Sequence, residues 1–344
     1  MRIVSTTLAG PGAESIVADA LRSARGIADE HVLILSGCDA DATLRAAGGA
    51  VDGLTVEEFE WTGSYADARN FALRFAESLG ADWQLTLDSD ERLEIARDEL
   101  PLLVPEVHSI HVKDRDHGYQ KERLIRCGVG AQWQYPVHER LITSGRYIMA
   151  PGSFWELEKT EQTKNARRDR GIEACLALVA RGEADAHIKR HLAECLGAAR
   201  RMEEATAIWL DVASDESAKL YERTWCEYRL AEQQMSGGDF RGARDRAAIA
   251  VGRDPGLIQE LGTLIACCSS FIGDQKAALF WALTVVGAPV DETRGGHRFY
   301  RPCIEDCRRI AAELAQATST PVSRLSAAAL GGESLGQEAG VGIH

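Results

Sequence analysis

Apolar residues follow two different rhythms along this chain of 344 residues. In the first part they alternate between strand and helix spacing. "RIVSTTL" predicts a first strand, and Ile16, Val17, Ala20 and Leu21 recur at helical spacing behind it. His31 to Gly37 (HVLILSG) is a near-continuous apolar run, as buried parallel strands carry. Leu54 to Trp61 alternates. Ser64 to Gly80 predicts an amphipathic helix, capped by Ser64 and stopped by Gly80. "WQLTLDSD" is the next strand. This alternation predicts an α/β layer on a parallel sheet. "VHSIHVKD", "ERLIRCG" and "QWQYPVHERLI" then read as strands of antiparallel character, the first two separated by a turn at Asp116 to Gly118.

From about Lys164 the rhythm is helical throughout, and it repeats. Ala193 and Ala205, Ala231 and Ala243, and Ala266 and Ala278 are each twelve apart, and the units follow one another at 38 and then 35 residues. Gly238-Asp239 and Gly273-Asp274 fall at matching offsets. The pattern resembles the tetratricopeptide repeat, with small residues where two helices cross and Pro255 where a second helix ends. It predicts an all-α domain over residues 161–315 whose concave face meets a partner or pairs two copies of the chain. Residues 316–344 are rich in Ser, Gly and Ala and are expected to stay disordered.

Composition narrows the class. With 45% apolar and 26% charged residues the chain is an ordinary globular one. It holds no run of about 18 apolar residues, so no membrane span is expected, and "MRIVSTTLAG" is not a secretory signal. A net charge of −13 argues against broad binding to nucleic acid. Nine scattered cysteines without a CxxC suggest free thiols, and hence a cytoplasmic location.

The densest chemistry lies in "ADWQLTLDSDERLEI", which starts at Ala81. In open α/β sheets ligands bind beyond the carboxyl ends of the strands. Asp88 and Asp90 close such a strand, and two carboxylates at that spacing suit Mg²⁺ or Mn²⁺. A metal there would help a diphosphate leave as an anion. On the triplet alone, solvated loop carboxylates are the rival explanation.

The surroundings of the triplet carry a resemblance. Arg69-Asn70, Ala72-Leu73, Trp83 and Asp88-Ser89-Asp90-Glu91 resemble the nucleotide-sugar glycosyltransferases of family 2, which have the GT-A fold. A second block, Lys121 to Leu141, is similar to the same family at Arg123, Leu124, Arg126, His138 and Glu139. The likeness covers about residues 1–290. It implies a GT-A (nucleotide-diphospho-sugar transferase, Rossmann-like) α/β domain over residues 1–160, followed by the tetratricopeptide-like helices. It implies metal-dependent, inverting transfer of a sugar from a nucleoside diphosphate, UDP in the usual case. The acceptor stays open: a saccharide, a peptide side chain or a modified base.

Carried over by residue, the resemblance assigns the nucleotide to Thr6, Thr7 and Leu8, and the ribose to Asp88. It assigns Mn²⁺ or Mg²⁺ to Asp88 and Asp90, with His138 as a further ligand, and the diphosphate to Arg69. Glu139 and Asp116 are rival general bases, with Asp114 beside them. Asp41 and Thr43 match the family's pattern after the second strand, but Ser36 stands where an aspartate commonly reads the uracil ring. Gly10-Pro11-Gly12 stands where Asn-Glu is usual. These departures fit a non-uridine donor, a looser pocket, or an inactive scaffold that binds a protein partner. A nucleotidyltransferase would carry a basic residue in "LAGPGAES", and none is there.

Overall fold

The computed structural model describes residues 1–101, 104–115, 119–290 and 300–317. They form an α/β unit followed by a helical one, divided at Ala205 and Thr206. The expected boundary at residue 160 is where strands give way to helices. The first compact unit runs on to Ala205.

The first unit opens with β1 (Ile3–Ala9), α1 (Val17–Ala24), β2 (Glu30–Leu35), α2 (Ala40–Ala47), β3 (Leu54–Glu58), α3 (Tyr65–Ser78) and β4 (Trp83–Asp88). Then come β5 (Glu91–Glu94), β6 (Val107–Asp114), β7 (Gln120–Arg126), β8 (Gln132–Gln134), β9 (Arg140–Ile142), β10 (Arg146–Glu156), α4 (Glu161–Ala180) and α5 (Ala186–Ala198). Eight strands make one sheet in the order β3-β2-β1-β4-β7-β6-β10-β5, and β8 and β9 pair separately. The first four are mutually parallel, and β7 and β5 run against the rest. β1 and β2 need continuous apolar runs because helices cover both faces. Val4, Val32 and Ile34 pack on Ala72 and Ala76 of α3. Ala9, Leu33 and Leu35 pack on Val17 and Leu21 of α1.

The order reverses at β1. From it the chain steps outward through β2 to β3, then returns to lay β4 on the other side. Ligands of open α/β sheets bind at such a switch point. Here it is the gap between the carboxyl ends of β1 and β4, where Leu8 faces Asp88 in register. Ser64 caps α3 by accepting from Asp67 N at 3.1 Å, and Gly80 ends it at φ +75°.

One local expectation needs correcting, and two elements went unread. "QWQYPVHERLI" is not one strand but β8, a loop and β9, because Pro136 has no N–H to donate and Tyr135 and His138 hold positive φ values of 73° and 51°. α2 follows β2 unread; Asp39 caps it by accepting from Ala42 N at 2.9 Å. β10 goes unread because Pro151-Gly152 interrupts its apolar pattern, at a register shift between Met149 and Ser153.

α6 (Met202–Ser214) carries the chain across the division. The second unit continues with α7 (Leu220–Ser236), α8 (Phe240–Arg253), α9 (Ile258–Phe271), α10 (Gln275–Gly287) and α11 (Tyr300–Ala317), each packed on the next. Ala231, Ala243, Ala266 and Ala278 are all fully buried. Gly238 and Gly273 turn the chain at φ +86° and +80°. The aspartates behind them cap α8 and α10, accepting from Gly242 N and Ala277 N. Among the described residues no helix is long and apolar enough to cross a membrane, and the nine cysteines are free. The segments around Asp116 and from residue 318 onward lie outside the described residues, and with them one candidate base and the expected tail.

Candidate active site

The carboxyl ends of β4 and β10 and the start of β5 supply the site. β4 delivers Asp88, the turn after it Asp90, and β5 starts at once with Glu91. That turn is held from both sides: Ser89 N donates to Leu8 O at 3.0 Å, and Asp88 N donates to Glu91 Oε2 at 2.9 Å. β10 ends opposite, with Glu156 in register with Glu91.

The side chains form an alternating chain of charge. Arg123 Nη2 donates to Glu91 Oε1 at 2.7 Å. Lys121 Nζ bridges Glu91, at 2.9 Å, and Glu156. Lys159 Nζ then bridges Glu156 Oε2 at 3.0 Å and Asp90 Oδ2 at 2.8 Å. Burial opposes ionisation of Glu91, but the charges of Arg123, Lys121 and Arg69 win and hold its carboxyl down at about 2. Burial lowers the Lys159 ammonium, but Asp90 and Glu156 outweigh it and raise it.

A second network joins Asp88 to Glu139 through Arg69. The guanidinium donates from Nε to Glu139 Oε1 at 2.8 Å and from Nη2 to Asp88 Oδ2 at 2.9 Å, over the Trp133 ring at 5.2 Å. Burial works against its charge; Asp88 and Glu139 overcome that and raise Arg69 well above its ordinary value. The next residue, Asn70, grips the Trp133 backbone: Nδ2 donates to Trp133 O and Oδ1 accepts from Trp133 N, both at 2.8 Å. Tyr65 N donates to Pro136 O at 2.9 Å. α3 therefore anchors both the β8–β9 hairpin and the guanidinium that meets Glu139.

His138 faces helix α5. Its ring stacks on His191 with centroids 4.3 Å apart, and its Nε2 lies 3.6 Å from Cys195 Sγ. His187 Nε2 donates to its carbonyl at 3.0 Å. Burial lowers the His138 imidazole to about 4, so the ring is neutral at ordinary pH. His187, His191 and Cys195 are spaced by four and share one helix face, a legible signal that sequence reasoning missed.

The nucleotide candidates are spread along the strand ends. Thr6 Oγ1 accepts from Gln84 at 2.8 Å. The hydroxyls of Thr7, Ser36 and Thr43 are buried without a hydrogen-bond partner. Leu8 packs toward α3, and Asp41 is exposed in the first turn of α2. Lys121, Glu156 and Lys159 were not read from sequence as site residues. They come from β7, β10 and the stretch after it, and no local motif ties them to the Asp88 turn.

The expected metal ligands do not fit a divalent ion as they stand. Arg69 occupies Asp88, Lys159 occupies Asp90, and His138 is engaged with α5. Among the described residues no group of three or more His, Cys, Asp or Glu side chains is arranged to hold a metal. A cation on Asp90 would have to displace the Lys159 ammonium or sit against its charge.

No family model and no curated protein matches the chain. Among solved structures, S. aureus TarS is similar at 11% identity over 81% of this chain and 54% of that one, with a TM-score of 0.32. HddC from Yersinia pseudotuberculosis is similar at 13% identity over 49% of this chain and 99% of that one, with a TM-score of 0.25. The chain spans about half the length of the TarS chain. Likeness this low carries no argument about function, so the site is read from its own residues.

Proposed function

We propose that this chain is a glycosyltransferase of the GT-A type, moving a sugar from a nucleoside diphosphate to an acceptor with inversion. One observation carries the reading: the β1/β4 switch point, where such sheets bind ligands, gathers Asp88, Asp90, Arg69, Glu139 and Lys159. A structural role alone does not call for so many ionised groups at a half-exposed strand end, and clusters of this kind favour functional sites.

In the reaction the acceptor oxygen bonds to the anomeric carbon as that carbon's bond to the diphosphate oxygen breaks. The electron pair leaves on the diphosphate, and the acceptor's proton passes to Glu139. Burial raises the Glu139 carboxyl, but Arg69 more than offsets this and keeps it ionised. Asp88, fixed by the same guanidinium, is suited to accept from donor hydroxyls. No step is routed through a metal, because the ligands assigned to one are engaged elsewhere. The helical second unit, with buried alanines at matching positions of its helix pairs, is suited to holding the acceptor or a second copy of the chain.

The test is a panel of nucleotide sugars scored by release of the nucleoside diphosphate. Turnover of one donor, lowered about 100-fold or more in Glu139→Gln, is expected from loss of a general base. Failure of every donor to turn over or to raise the melting temperature would leave the scaffold reading in its place.

A further inference from the structure

We propose that Lys159 and Arg167, rather than a divalent ion, supply the positive charge that meets the departing diphosphate. The proposal rests on the glycosyltransferase reading and names the cations that serve its leaving group.

Lys159 carries the argument. Its Nζ lies on Asp90 Oδ2 at 2.8 Å and Glu156 Oε2 at 3.0 Å, so the carboxylate expected to hold a metal already holds a fixed cation. An ammonium has three N–H donors, and these contacts take two. The third is left for a phosphate oxygen without breaking either ion pair. The side chain is 21% exposed, so a ligand can reach it.

Arg167 adds the second charge. It lies on α4, makes no hydrogen bond or ion pair among the described residues, and is exposed. It stands one turn before Gly171, where a Cβ would lie 3.7 Å from His138 Nε2, and α4 itself starts two residues after Lys159. Its forked donors suit phosphate oxygens. Together the two side chains bring the same formal charge as the divalent ion they would replace.

The charge count supports this. Asp88, Asp90, Glu91, Glu139 and Glu156 are five carboxylates. Arg69, Lys121, Arg123 and Lys159 pair with them, so four fixed cations already stand among the five carboxylates without a metal. Lys159 keeps a donor to offer an anion.

The test is calorimetric titration of UDP, GDP, CDP and ADP into the full chain, in EDTA and in Mn²⁺. One diphosphate is expected to bind equally well, within about twofold, in both buffers. Arg167→Ala and Lys159→Met should each weaken it about tenfold, as loss of a charge-assisted contact does. Arg167 is exposed, so its variant tests the idea even if Lys159→Met fails to fold. Manganese titrated alone and followed by electron paramagnetic resonance should show no site in the wild type, and a site in Lys159→Ala. Binding that requires Mn²⁺, or unchanged binding in both variants, overturns the proposal and leaves the glycosyltransferase reading intact. Binding of no diphosphate in either buffer overturns both.

Discussion

Glu91 and Arg123 meet at 2.7 Å with their side chains 0% and 1% exposed, directly beneath the Asp88 turn. Glu91 also accepts the Asp88 N–H and pairs with Lys121. Removing one partner of a buried pair leaves the other uncompensated, so Glu91→Gln should destabilise the chain by about 3–5 kcal/mol. Denaturant unfolding measures this. A loss below about 1 kcal/mol would mean that water, not Glu91, satisfies Arg123.

Acid should act on the first unit through His138. Its folded pKa of about 4 lies below the ordinary 6.5, so the unfolded chain binds its proton first. The stability it confers is complete above about pH 6.5 and is lost as pH falls toward 4. The size is about 1–3 kcal/mol for a half-buried ring. His138→Asn, which tolerates the left-handed backbone there, should flatten that stretch of the stability-against-pH curve. An unchanged slope would assign the acid sensitivity to another group.

Asn70 is predicted to act through the hairpin. It makes both hydrogen bonds to the Trp133 backbone, and Trp133 underlies Arg69. Asn70→Asp keeps the acceptor but turns a carboxylate oxygen toward a carbonyl, at a cost of about 1–3 kcal/mol. Limited proteolysis between Gln134 and Arg140 should speed up, and donor turnover should fall more than donor binding. Equal cleavage rates in the two proteins would count against an anchoring role.

Arg200 stands five residues before Ala205, as Gly238 and Gly273 stand before Ala243 and Ala278, and like them it has positive φ, at 60°. A side chain there is strained by about 1 kcal/mol. Arg200→Gly should therefore raise stability by about 0.5–1 kcal/mol, readable as a higher melting temperature. A lower melting temperature would show that its side chain matters more than its backbone.

Much of the fold is legible because burial on both faces imposes continuous apolar runs, and because caps announce helices. β1, β2 and α3 follow from Val4, the HVLILSG run and Ser64. The buried alanines and glycine turns of the second unit are equally plain, since close helix crossings favour alanine and a left-handed turn favours glycine. The site was legible only in part. Asp88, Arg69 and Glu139 stand in local motifs and do converge. Lys159 does not stand in one, because what brings it to Asp90 is the return of β10 beside β5, a pairing between strands roughly 60 residues apart. A motif also cannot say whether a carboxylate is already paired, as Asp90 is with Lys159.

The grip of α5 on His138 has a practical bearing on any attempt to trim the gene. A cut placed where the strands stop, near residue 160, would discard the helix whose His187, His191 and Cys195 hold the far end of the loop that carries Glu139. The shortest fragment worth expressing for chemistry therefore ends no earlier than Ala205.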